Sequence, residues 1–248
     1  LGLDLKKSLE RVVVAAATED SRPVLTGVKM DISDEEITLA TADGFRLAVD
    51  KVKIKSNGNV SSSDVIIPAR TMQELQRLIP EIESEIKFSI TESSNQVLFS
   101  FDTIQIVSQL VQGQFPDYSK LIPDSHTTQT IVKREEFLQA ARAASIFARD
   151  GSGIIKLIFD PAGVVNIFSS AEEIGDLENQ IQAKIEGEEA RIAFNSKFLI
   201  DVLNVIKSSD IVFECSSPSS PGVFQEHSNS SDDKNTYTHV VMPMFVQW

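Results

Sequence analysis

The sequence predicts two α+β domains in tandem, each built around antiparallel sheet. Three observations carry that expectation. The order helix, strands, helix, strands occurs twice: Lys6-Lys7-Ser8-Leu9-Glu10-Arg11 lines up with Glu135-Glu136-Phe137-Leu138-Gln139-Ala140 at an offset of 129, and Ile66-Ile67-Pro68-Ala69-Arg70-Thr71 lines up with Ala193-Phe194-Asn195-Ser196-Lys197-Phe198 at 127. Between the helical segments lie short apolar runs bounded by turn residues. Finally, 248 residues with 42% hydrophobic composition suit two cores of ordinary size.

The elements follow in chain order. Leu5, Leu9, Val12, Val13 and Ala16 share one face at helical spacing and place a helix over residues 5–17. Val28-Lys29-Met30-Asp31-Ile32 turns through Ser33-Asp34-Glu35-Glu36 into Ile37-Thr38-Leu39-Ala40-Thr41. Asp43-Gly44 is the strongest short hairpin signal in the chain. Met72, Leu75, Leu78 and Ile79 mark a second helix over 70–79, and residues 97–101 and 104–111 form a hairpin around Asp102-Thr103. The join is expected in the polar stretch 123–129, giving domains 1–125 and 126–248. Past it come a helix over 133–149, strands over 154–159 and 164–168 about Asp160-Pro161-Ala162-Gly163, and a helix over 196–208. Residues 216–236, rich in Ser, Pro, Asp and Asn, read as a long loop or hairpin tip.

The net charge of −13 argues at first against a nucleic-acid partner. Its distribution changes the inference. The four expected helices hold eleven bases against five acids, and the rest of the chain holds twelve bases against thirty-one acids. One class of surface is therefore basic while the others repel polyanions.

Signals for catalysis, metals and membranes are weak. There is no P-loop, no G-x-S-x-G and no complete G-x-G-x-x-G; Gly151-Ser152-Gly153 lacks a preceding strand. His126, His227 and His239 have no Cys or carboxylate at ligand spacing, so neither a metal site nor a cofactor is expected. Acid clusters such as Glu172-Glu173 and Glu186 to Glu189 read as solvated faces. No apolar run reaches the roughly 18 residues that span a bilayer, residues 1–7 carry no signal-peptide core, and one cysteine, Cys215, suits a reducing compartment, so a cytoplasmic protein without a membrane partner is expected.

Three segments join a turn to apolar residues that a lone strand could not bury: Thr41-Ala42-Asp43-Gly44-Phe45-Arg46-Leu47-Ala48, Gln112-Gly113-Gln114-Phe115-Pro116-Asp117-Tyr118 and His239-Val240-Val241-Met242-Pro243-Met244. Leu25, after Ser21-Arg22-Pro23, adds another apolar side chain. Val240, Met242 and Met244 are expected to alternate in a last strand that Pro243 leaves as an edge, and methionine suits a surface that accepts several partners.

In this order the segments resemble the bacterial DNA polymerase III beta subunit, the sliding clamp, whose second and third domains carry T-D-G-x-R-L-A, G-x-F-P-D-Y and V-V-M-P-M. The resemblance spans essentially the whole chain. It implies two helices on one face of each domain and antiparallel sheets on the other, and a non-catalytic subunit of a polymerase holoenzyme. In such clamps, three-domain chains close as a ring dimer around duplex DNA, bound without sequence preference. Polymerase subunits, the clamp loader and repair proteins are tethered through short linear motifs, typically Gln followed by a Leu/Phe pair. Matched by motif, the peptide pocket at the domain seam would take Leu25, Gly44, Phe45, Arg46, Leu47, Pro116, Lys120 and Leu121 from the first half, and Asn195, Phe198, Ser220, Val240, Val241, Met242, Pro243 and Met244 from the second. The DNA-facing bases would be Lys6, Lys7, Arg11, Arg70, Arg77, Arg142, Arg149 and Lys197. After Met244 the chain runs Phe245-Val246-Gln247-Trp248, where family members commonly carry a basic and an apolar residue, so Trp248 either folds across the groove or widens it.

The chain begins at Leu1 where the second of three domains would begin, so the expectation is a piece of a longer protein, able to bind peptide and unable to close a ring. Two other classes stay open: a DNA-associated scaffold of the same fold that is no clamp, and an acidic enzyme of another family. A similar domain encoded before Leu1 would favour the clamp, and activity without DNA or peptide would favour the enzyme.

Overall fold

The computed structural model describes residues 2–19, 21–54, 63–82, 84–91, 95–149, 153–171, 175–227 and 236–248, the side chain of Arg149 excepted. Gly151-Ser152, Glu172-Glu173 and residues 228–235 of the Ser-rich run lie outside the described residues. The chain divides into two compact units, Leu1–Asp117 and Tyr118–Trp248.

Unit 1 opens with α1 (Gly2–Val12), continued by a 3-10 turn, Val13–Ala15. Leu5, Leu9 and Val12 are buried on one face, which packs α1 on α2 (Ala69–Leu78) through Met72 and Leu75. The main sheet is antiparallel, in the order β3-β2-β1-β4, with β1 Gly27–Ile32, β2 Glu36–Ala42, β3 Arg46–Lys53 and β4 Ser63–Pro68. A second sheet, β5-β6-β7, joins Lys87–Thr91, Gln96–Phe101 and Ile104–Gln109. Period-two alternation holds in β6, where Val97, Phe99 and Phe101 are buried. Its turn places Asp102 at φ 47°, as the Asp-Thr signal anticipated.

Unit 2 is one continuous antiparallel sheet ordered β12-β9-β10-β11-β8-β13-β14-β15. The strands are β8 Thr128–Lys133, β9 Ile154–Asp160, β10 Val164–Ala171, β11 Gly175–Gly187, β12 Ala190–Asn195, β13 Asp210–Cys215, β14 Gly222–Glu226 and β15 Thr238–Val241. β11 is the bridge: its residues 175–182 pair with β10 and residues 183–187 with β8. Two helices, α3 (Arg134–Arg149) and α4 (Ser196–Val205), pack together. Alanines 140, 141, 144 and 148 are buried on α3, and such small side chains let it lie close to its neighbours. The core holds four phenylalanines: the Phe213 ring stacks 4.6 Å from Phe159 and lies 4.8 Å from Phe224 and 6.1 Å from Phe194.

Three differences from the sequence reading have physical causes. The run 216–236 contains β14, because Gly222 sits against the Phe194 and Phe213 rings; a Cβ there would come within 2.5 Å of Phe194. Bulk, not turn propensity, selects glycine at that position. The last strand stops at Val241, opposite Gly222 where β14 begins, so Met242 and Met244 lie outside the ladder and Val240 and Val241 are both buried instead of alternating. The polar stretch expected as the join is hydrogen-bonded to the end of β13: Thr127 N–H donates to the Cys215 carbonyl at 3.1 Å and Ser216 Oγ to the Ser125 carbonyl at 3.3 Å. The division into units accordingly falls before it, between Asp117 and Tyr118.

Cys215 closes β13 at 3% exposure, and burial pushes its thiol from 9.0 up to about 12. The native thiol keeps its proton where the unfolded one has lost it. Stability is therefore complete below about pH 9 and falls by about 1.4 kcal/mol per pH unit as pH rises toward 12. Urea midpoints at pH 8 and pH 10 should differ more for the natural sequence than for Cys215→Ala; equal pH dependence in both would show that this thiol does not contribute.

Candidate functional site

In unit 1 the site begins at the hairpin between β2 and β3. Asp43 organises it. Its Oδ1 accepts the N–H groups of Phe45 (2.9 Å) and Arg46 (3.0 Å), and its Oδ2 accepts Arg46 Nε at 2.9 Å. Gly44 at φ 93° takes the left-handed turn position that a Cβ would disfavour. Arg46 is thereby folded down at 7% exposure, Leu47 is buried at 1%, and Phe45 stands out at 59%.

One further segment lies beside this hairpin, and a third packs on that one. Leu25 sits buried in a 3-10 turn, Pro23–Thr26, with its N–H donating to the Arg22 carbonyl and its carbonyl accepting Ala17 N–H, both at 2.9 Å. A Cβ on Gly44 would lie 4.0 Å from Arg22 Nη1, and one on Gly113 only 2.6 Å from Val24 Cγ1. The Asp43-Gly44 turn, the segment around Leu25 and the Gly113 segment leading to the exposed Pro116 are therefore linked.

Lys120 and Leu121 lie in a 3-10 turn, Tyr118–Leu121, within unit 2, and Leu121 is 45% exposed. Elsewhere in that unit Asn195 caps α4, its Oδ1 accepting Lys197 N–H at 2.9 Å, one turn before the half-buried Phe198. Ser220 is 2.7 Å from Ser217 by their hydroxyls. Met242 is exposed, and Pro243 and Met244 are half-buried, with Met244 N–H donating to the Ala193 carbonyl of β12 at 2.7 Å. The side chains thus sort into two kinds. Leu25, Arg46 and Leu47 are buried in unit 1 and Val240 and Val241 in unit 2, while Phe45 of unit 1 and Leu121 and Met242 of unit 2 are exposed.

The helical bases sort as well. Lys7, Arg70 and Lys197 are exposed, and Arg77 is exposed while pairing with Glu74 on its own helix at 3.1 Å. Arg142 is exposed and donates to Asn204 Oδ1 at 2.9 Å. Lys6 bridges to the Ile79 carbonyl and Glu81, and Arg11 pairs at 3.4 Å with Asp50, itself 2% exposed, so both have structural partners. The side chain of Arg149 is not among those described. Within their observed bounds the helices hold nine bases and six acids, a smaller excess than the sequence suggested. Asp4 falls inside α1, Lys207 falls beyond α4, and Lys133 belongs to β8. There its ammonium sits 2.9 Å from Asp210; its hydrogen bond, ahead of that from Ser209, holds the Asp210 carboxyl below its ordinary value.

Among the described residues no helix is long and apolar enough to cross a membrane, and no group of three or more His, Cys, Asp or Glu could hold a metal ion.

Two tandem domains that each pair two helices with antiparallel sheet define the DNA-clamp class. Residues 3–117 match the model of the DNA polymerase III beta subunit, central domain, and residues 119–245 that of its C-terminal domain. The chain belongs to the DNA polymerase III beta subunit family. It is 36% identical over 209 residues to the beta sliding clamp of Bacillus subtilis, covering 84% of this chain and 54% of that one. Against the beta sliding clamp of Halalkalibacterium halodurans it is 34% identical over 243 residues, covering 97% and 62%. The crystal structure of the DNA polymerase sliding clamp from Bacillus subtilis superposes with a TM-score of 0.90 at 32% identity, over 98% of this chain and 62% of that one. The chain thus spans between half and two thirds of the length of these relatives.

Proposed function

We propose that this chain acts as the central and C-terminal domains of a DNA sliding clamp. In this reading it is a non-catalytic processivity factor that helps encircle duplex DNA and tethers polymerases and repair proteins by short apolar peptides. Phe45, Leu121 and Met242 would contact the peptide, framed by Leu25, Leu47, Val240 and Val241. The observation that carries the reading is that Arg22 reaches the Gly44 turn while Val24, two residues on, packs against Gly113, which links three remote segments of unit 1. Residues so far apart in sequence are not brought together by local propensity. The test is titration of a labelled peptide containing Gln, two alanines, Leu and Phe in that order. A Kd of order micromolar, about 8 kcal/mol, is expected, and no saturable binding up to millimolar peptide would sink the reading.

On the DNA side, the exposed bases Arg70, Arg77, Arg142 and Lys197 would hover near phosphates without locking on. The remaining surface is strongly acidic, so duplex binding by this chain should be no tighter than about 10⁻⁴ to 10⁻⁶ M and should weaken steeply with salt. Replacing those four residues by Glu should abolish it. Titration of a labelled duplex at low and physiological salt checks this, and nanomolar or sequence-dependent binding would contradict a sliding contact.

A further inference from the structure

Residues 244–248 start from a bond to β12, the terminal strand of the unit 2 sheet, and end beside Lys156 of the neighbouring β9. Two anchors hold them. Met244 N–H donates to the Ala193 carbonyl at 2.7 Å, and Lys156 Nζ, from the residue of β9 paired with Ala193, donates to the Gln247 carbonyl at 2.7 Å. The same ammonium lies 5.8 Å from the centre of the Trp248 ring. Neither the anchors nor burial make this hold deep. No residue from 242 to 248 extends the ladder, Phe245 is 87% exposed and Trp248 is 47% exposed. A terminal strand is where an extended peptide adds itself to a sheet, and here the position is taken by the chain's own segment on a shallow grip.

We propose that residues 245–248 are a displaceable cover over the β12 edge, that Lys156 is the catch that holds it, and that an extended partner peptide reaching past Met242 and Met244 replaces it. This rests on the peptide-binding reading above. The cover is an intramolecular competitor, so the measured affinity is lower than the open edge alone would give. Lys156 is a positioning residue in this scheme: it holds the segment and need not touch the peptide. Losing one charge-assisted hydrogen bond and one ring contact should release the segment most of the time.

Trp248 is the single tryptophan of the chain, so its emission reports the cover alone. Two quantities would be measured on the natural sequence, Lys156→Ala and Trp248→Phe: affinity for the fluorescein-labelled peptide described above, and, where Trp248 is present, emission with and without saturating unlabelled peptide. Lys156→Ala should bind about five- to tenfold more tightly, and its emission should shift to the red without peptide. Saturating peptide should bring the natural chain to that same red-shifted emission. Trp248→Phe keeps a ring at the catch and should bind within about twofold of the natural chain, which separates loss of the catch from loss of the indole. Equal or weaker binding by Lys156→Ala, or Trp248 emission that ignores bound peptide, overturns the cover while leaving the peptide site standing. Absence of peptide binding by every form overturns the peptide-site reading and the competition with it.

Discussion

Replacing Phe45, Leu121 and Met242 together by alanine should weaken binding of the Gln-x-x-Leu-Phe type peptide by at least about 100-fold. Each is an apolar side chain that the fold leaves open, at 59%, 45% and 39% exposure. Truncating an anchor that becomes buried on binding costs about 1 to 2 kcal/mol. Summed over three anchors this is about 3 to 6 kcal/mol, and every 1.4 kcal/mol is a factor of ten in Kd. Because these side chains contribute little to the core, the melting temperature should hardly change. Leu47→Ala is the contrasting substitution: at 1% exposure it belongs to the core, and its loss should appear as about 2 to 5 kcal/mol of destabilisation. Anisotropy titration together with thermal denaturation of both variants separates the two effects. A triple variant that binds as well as the natural sequence would remove the peptide assignment.

Phe213→Ala should be the most damaging single substitution in unit 2, at about 3 to 5 kcal/mol. Phe213 is fully buried, stacks on Phe159 at 4.6 Å and touches Phe224 and Phe194, while Gly222 lies against its ring edge with no room for a Cβ. A packed aromatic cluster relaxes poorly around a void, so the transfer and cavity contributions both apply. Urea unfolding followed by far-ultraviolet circular dichroism reports the loss of sheet, and its midpoint should fall markedly. A loss below about 1 kcal/mol would mean that the cluster collapses around the gap. The conservative variant Phe213→Leu should recover most of the loss.

The sequence by itself determined what depends on neighbours a few residues away. Asp43-Gly44, Asp102-Thr103 and Asp160 to Gly163 read correctly as reversals because left-handed backbone and Asp side-chain acceptors are local requirements. The four helices read correctly because their buried faces recur every three to four residues. In β11, Leu177, Ile181 and Ile185 are spaced by four among polar residues, a pattern that suits helix and strand alike, so the strand is settled by its pairing with β10 and β8. Only the tertiary structure decided which charges and apolar groups remain available to a partner. Arg11 meets Asp50 and Lys133 meets Asp210 through strands distant in sequence, and these pairings together with the helix bounds reduce the basic excess that the chain text suggested. Phe45 and Leu47, two residues apart, end one in solvent and one in the core, since an Asp43-anchored turn places Phe45 beyond the end of β3. The same holds for Gly222, whose lack of a side chain is required by rings from β12 and β13. Such outcomes follow from register and packing between elements far apart in the chain, which no short window of sequence encodes.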